Sequence, residues 1–269
     1  MHSAPAIAIA LLLASAAPAR AGDTTAYDKP LSVKHVDLGP AETVPPQEKE
    51  VRCSYFPTFM VKEVDEREVG AAQLSILPSS PAAPAACQRD NLPGERVLDD
   101  KKWTGYFDGA HGDDVVFSAE DGVNGGLGFA VVRPGDAGVV YSAVAKGALR
   151  FTADANGATV LHFAAIHAGK CSVAVQGAAC ATQIGREIGI AAPDVALCRR
   201  GYADAKRSMA KDRCADTPKD KGCVDREIAG MHGWDASPTV VRYNLDVVLA
   251  PAGVAEHPSG APTACWPAD

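Results

Sequence analysis

Eight cysteines constrain this chain more than any other feature: Cys53, Cys87, Cys171, Cys180, Cys198, Cys214, Cys223 and Cys265. Their number is even, and none stands in the close C-x-x-C pairs of a zinc site. Disulfides close and persist in oxidising compartments, so the expectation is four bridges in an exported protein. Eight cysteines allow on the order of 100 pairings, and loop length ranks them. Cys171/Cys180 and Cys214/Cys223 each bracket a short segment whose ends meet at small entropic cost. Cys53/Cys87 then ties two early segments together, and Cys198/Cys265 pins a helix to the C-terminal tail. Sulfur serves here as scaffold, not as reagent.

The beginning of the chain supports export. Ile7–Ala17 is a short apolar run, followed by Pro18 and by Ala19-Arg20-Ala21, an A-x-A pattern. Residues 1–21 therefore read as a signal peptide. The run falls short of the roughly 20 residues a membrane-spanning helix needs, and no later run reaches that length. The expected location is periplasmic or extracellular. With a formal net charge of −7, the chain has no electrostatic reason to seek nucleic acid or anionic lipid.

Residues 22–50 are poor in apolar side chains and carry Pro30, Pro40, Pro45 and Pro46. They read as an extended lead-in to one β-rich domain over residues 51–269. Short apolar segments follow from Val51 to Ala168, among them VRCSYF, FMVKEV, AQLSIL, DVVFSA, LGFAVV and ATVLHFAAI. Gly, Asn and Asp punctuate them. That spacing predicts a mainly β, α+β chain built as an antiparallel β-sandwich or barrel-like meander. TVVRYNLDVVL alternates strictly, with Val241, Tyr243, Leu245, Val247 and Leu249 on one face of a half-buried strand.

Residues 171–234 differ in period. After Pro193, the residues Val195, Cys198, Tyr202, Ala205 and Met209 recur at helical steps, with Gly201 as a weak point. A shorter helix is expected over 181–188. This is a helical, disulfide-rich insert before the C-terminal strand.

AEDGVNGGLGFAVV, Ala119–Val132, places two acids, an amide and several glycines ahead of an apolar run. Asp121-Gly122 and Asn124-Gly125 are dipeptides that turn cheaply, and a hairpin explains them. The competing expectation is a calcium site on Glu120, Asp121 and Asn124, although the spacing does not match an EF-hand loop. His111-Gly112-Asp113-Asp114 invites acid–base chemistry, and equally reads as a polar turn. His162 and His167 are an odd number of residues apart on one strand, so they cannot share an ion. Ser208–Lys211 matches S-x-x-K without the companion motifs of penicillin-recognising enzymes. Gly230–Asp235, GMHGWD, could cap a groove through Trp234, His232 and Asp235. The commoner fate of Trp103, Trp234 and Trp266 is packing.

No catalytic constellation has a strong spacing signature. The leading expectation is a non-enzymatic binding or envelope-associated module with an unidentified ligand or envelope partner. It would bind through the Glu120–Gly126 loop and the 171–234 insert. The alternatives are a secreted, cation-assisted hydrolase using Asp113, Asp114, Glu120 and Asp121, and a purely structural envelope protein. No cofactor beyond calcium is implied.

Overall fold

In a computed structural model, which describes residues 26–98, 105–135, 138–217 and 220–268, VRCSYF and FMVKEV become neighbouring antiparallel strands. These are β2 (Glu48–Tyr55) and β3 (Phe59–Asp65). With β1 (Ser32–Pro40), β4 (Gln73–Pro78) and the two-residue β5 (Arg96–Val97), they form a sheet in the order β1-β2-β3-β4-β5. Strand β1 lies inside the segment expected as an extended lead-in. Most of its side chains are exposed, which is why it carries little apolar signal.

The first sheet is covered on both faces. On one, Phe59, Val61 and Ile76 meet Ala110, Val115, Phe117 and Val132 of the second sheet. On the other, Cys53, Tyr55, Met60 and Leu77 lie beneath Ala85, Cys87 and Leu92. The Cys53–Cys87 disulfide and the Tyr55 hydroxyl, donating to the Ala85 carbonyl at 2.8 Å, fasten that covering segment. Double burial explains why β3 shows no alternation. Each large apolar side chain buried in this way contributes about 1.5–3 kcal/mol.

The second sheet contains β6 (Gly105–His111), β7 (Asp114–Val123), β8 (Gly126–Val132), β9 (Val139–Ala145), β10 (Arg150–Ala153), β11 (Thr159–Ala168), β12 (Thr239–Ala250) and β13 (Gly253–Pro267). Its order is β13-β12-β11-β9-β8-β7-β6, with β10 on β11. The alternation of TVVRYNLDVVL appears as β12, whose odd positions are buried. The single C-terminal strand expected is in fact a hairpin of β12 and β13. This sheet curls on itself. Phe151 of β10 stacks on His111 at the end of β6 (4.9 Å) and packs against Tyr27 (5.7 Å). The Asp28 N–H donates to the Ala110 carbonyl at 2.7 Å along the outer edge of β6.

Inside the curl, Phe129 meets Phe163 edge-on at 5.1 Å, beside Leu161, Val241 and Leu245. Helices α1 (Val173–Gln176), α2 (Ala178–Ile188) and α3 (Val195–Arg213) add side chains to this core, and α4 (Cys223–Gly230) packs on α3. Asp194 caps α3 by accepting from the Ala196 N–H at 2.7 Å, and Lys211 and Arg213 sit in its last turn. The buried stripe differs from the expected one at Met209, which is exposed while Ala210 is buried. Burial follows four-residue steps from Cys198 through Tyr202 and Ala210 to Cys214, because a disulfide holds the helix near each end.

The four disulfides are Cys53–Cys87, Cys171–Cys180, Cys198–Cys265 and Cys214–Cys223, the pairs that loop length favours. Among the described residues no helix is long and apolar enough to cross a membrane. The expected signal peptide and Trp103 lie outside the described residues.

Candidate functional site

The acids nominated for hydrolysis are kept apart by strand β7. Gly112 and Asp113 form the turn between β6 and β7, with His111 opposite Asp114, and Asp113 is exposed. Asp114 is buried with its Oδ1 3.4 Å from Arg133 Nε. Burial pushes its carboxyl above the usual range, while Arg133 and Thr159 pull it back. Arg133 also donates to the Leu249 and Ala250 carbonyls, at 3.1 and 3.4 Å. The pair therefore fastens the ends of β7 and β8 to the end of β12. Glu120 and Asp121 belong to the other end of β7, about 20 Å from Asp114 at the rise of an extended strand. His111 turns to Asp28 instead, with Nδ1 3.2 Å from Oδ1. The four acids do not converge, which corrects the hydrolase expectation built on them.

Residues 119–132 form a hairpin. Asn124 and Gly125 have φ of 51° and 73°, and Val123 pairs with Gly126. This is a two-residue turn whose left-handed positions suit Asn-Gly. A Cβ on Gly126 would lie 2.7 Å from Val144 and 2.8 Å from Ile166 side-chain carbons, so packing also demands that glycine. The Glu120 carboxylate fills the space that a side chain at Gly70 would take, and Asp121 is exposed. Among the described residues no group of three or more His, Cys, Asp or Glu is arranged to hold a metal.

The remaining sequence candidates disperse. His162 lies between Thr152 and Asp246, 2.7 Å from each, and His167 meets Glu187 at 2.9 Å. Ser208 and Lys211 are exposed on α3. In GMHGWD, His232 is exposed, Trp234 is half-buried and Asp235 pairs with Lys206 at 2.8 Å.

Two concavities do gather chemistry. The first is a groove of about 610 Å³ in the insert, bounded by α1, α3 and α4. Ala174, Val175 and Ile228 give it an apolar lining, and Val175 is 64% exposed. Arg199, Lys206 and Arg207 stand along one side. Helix α3 carries six basic residues and two aspartates in a chain of net charge −7. Lys206 is occupied by Asp235, and Arg207 lies 3.7 Å from Asp204. Arg199 makes no ion pair among the described residues. Tyr202 beneath them is committed to the fold, donating to the Ser237 carbonyl at 2.6 Å.

The second concavity, of about 510 Å³, lies between the two sheets and takes in Arg52, Ser54, Phe56, Phe107 and Asp108. The sequence points to the insert as a binding region but not to this groove or its lining residues, and it gives no sign of the cleft. The charge imbalance of α3 was legible, but reads alone as a solvated helix face. The cleft joins residues more than fifty positions apart. No protein-family model, no curated protein and no solved structure matches this chain.

Proposed function

We propose that this chain is an exported, non-enzymatic binding module that takes an acidic partner segment into the groove of its helical insert. The observation that carries the reading is Arg199, without an ion-pair partner among the described residues, beside the exposed Val175 on the rim of one groove. An apolar lining flanked by cations suits a peptide that presents one or two apolar side chains between carboxylates. The net charge of the whole chain argues against a general attraction to anions, so selectivity falls to this helix. Cys171–Cys180 links the segment before α1 to α2, Cys214–Cys223 links the end of α3 to α4, and Cys198–Cys265 links α3 to β13. They favour a preformed site, which lowers the ordering cost of binding. Disulfide bonds and the apolar run before Ala19-Arg20-Ala21 support a location outside the cytoplasm.

A fluorescent peptide of alternating glutamate and leucine, titrated with the oxidised chain at low and at physiological salt, tests this. Saturable binding that weakens with salt is expected, with a loss of about tenfold in Arg199→Glu and in Val175→Asp. Equal binding of a lysine–leucine peptide, or indifference to both substitutions, would overturn the reading.

A further inference from the structure

We propose that the cleft between the two sheets is a second binding site, for a zwitterionic ligand with an apolar side chain, namely a free aromatic or aliphatic α-amino acid. It is separate from the insert groove and shares no lining residue with it.

The register of β1 and β2 builds one wall. Val33 stands opposite Ser54 and His35 opposite Arg52. Side chains two apart share a strand face, so Arg52 and Ser54 point the same way, toward the second sheet. The facing wall is made by β6, whose register shifts between Phe107 and Gly109. A bulge of this kind pushes its extra residue out of the ladder, here Asp108.

Glu63, on the cleft side of β3, fixes both walls. One carboxylate oxygen holds the Arg52 guanidinium and the other accepts the Phe107 N–H at 2.6 Å. The cation and the bulge are thereby set relative to each other before any ligand arrives.

Three groups remain available. The Arg52 side chain is 37% exposed, and only one of its nitrogens meets Glu63. Asp108 accepts the Tyr27 hydroxyl on Oδ2 at 2.6 Å, which leaves Oδ1 without a partner among the described residues. Ser54 is 5% exposed, and its hydroxyl has no hydrogen-bond partner among the described residues although it lines the cavity. A buried hydroxyl in that state gains a bond when a ligand acceptor arrives.

Arg52 and Asp108 select the ligand, because the other ionisable groups of the lining are engaged elsewhere, Asp28 with His111 and the Gly112 N–H and His35 with Glu50. A simple carboxylate would suit Arg52 and Ser54 but would face Asp108. A simple amine would suit Asp108 but would face Arg52. An amino acid satisfies both walls at once, with its carboxylate on Arg52 and Ser54 and its ammonium on Asp108. Phe56 and Phe107, in edge contact at 6.2 Å, then receive its side chain. The volume falls within the range of small-molecule pockets.

Calorimetric titration of the oxidised full chain with L-phenylalanine, N-acetyl-L-phenylalanine and phenethylamine tests this. Phenylalanine is expected to saturate in the millimolar range or below, and each singly charged analogue to bind about tenfold more weakly. Asp108→Asn should weaken phenylalanine while leaving N-acetylphenylalanine unchanged or improved. Ser54→Ala should weaken both of those carboxylates and spare phenethylamine. Arg199→Glu, in the insert, should alter none of these affinities. No saturation by phenylalanine or by leucine at about 10 mM would overturn the proposal. So would equal affinity for the acetylated analogue.

Discussion

Gly201 of α3 lies directly against the carbonyl of Cys265 in β13: a Cβ on Gly201 would sit 1.6 Å from that oxygen. Three residues earlier Cys198 bonds to Cys265 itself, with the Cα atoms 4.7 Å apart. The glycine lets the helix approach the strand closely enough for the bridge to close.

Gly201→Ala therefore sets two effects of opposite sign against each other. Helix propensity alone would favour alanine by about 1 kcal/mol. Overpacking against a backbone carbonyl costs about 3 kcal/mol. The expected net result is destabilisation in urea unfolding, with free thiol detectable at Cys198 and Cys265. A more stable variant with no free thiol would contradict the close approach.

The disulfides should rank by the loop each closes. Cys198–Cys265 spans 67 residues and Cys171–Cys180 spans 9. Loop entropy then assigns about 4 kcal/mol to the first and about 2.5 kcal/mol to the second. Paired Cys→Ala variants, compared by urea midpoint, should keep that order.

Lys62 and Glu95 form an ion pair 2.7 Å apart, with side chains 0% and 1% exposed. Lys62→Met strands a buried carboxylate and is expected to cost about 3–5 kcal/mol. Replacing both partners together, as Lys62→Met with Glu95→Leu, should cost less than the single change. A double-mutant cycle in urea measures the difference.

Acid unfolding should separate two buried glutamates. Burial pushes Glu95 up, but bonds from Lys62, Ser75 and the Leu92 N–H outweigh it and hold the carboxyl below its ordinary value. Its contribution is present above the unfolded pKa of about 4.3 and is lost as pH falls through the lower folded value. Glu63 has the opposite sign. Burial raises it despite the Phe107 N–H and Arg52, so acidification relieves a penalty. Glu95→Gln should make the acid limb of stability shallower, and Glu63→Gln should make it steeper. Chemical denaturation from pH 7 downward reads both slopes.

Asn124 has φ of 51° in the β7–β8 turn. Asn124→Ala should cost about 1 kcal/mol, and Asn124→Gly little. Melts repeated with calcium and with chelator address the cation reading of Glu120, Asp121 and Asn124. That reading requires a rise with calcium that Asp121→Ala abolishes.

Periodicity and sulfur made much of this fold legible. The alternating residues of β12 declare a half-buried strand, and the spacing of Cys171 and Cys180 declares a local bridge. Strand β1 was hidden because its side chains face outward, so polar residues carry it. Lys62 gave no warning of burial, since its cover is a segment some thirty residues later that a disulfide pulls over the sheet. The cleft was illegible for a related reason. Ser54 and Asp108 come to line one cleft only when two sheets pack and a bulge turns one residue outward, and neither event has a short-range signature.

The margins of both sheets share one trait. Strand β5 is two residues long, and the outer side of β6 is occupied by the Asp28 N–H. Strand β1 is interrupted between Asp37 and Gly39 and ends at Pro40. Strand β13 carries Pro258, Pro262 and Pro267 and lies against α3 at Cys265. Each device denies a neighbouring molecule a continuous row of donors and acceptors on which to grow. At these four margins, strand addition by a second molecule is thereby disfavoured.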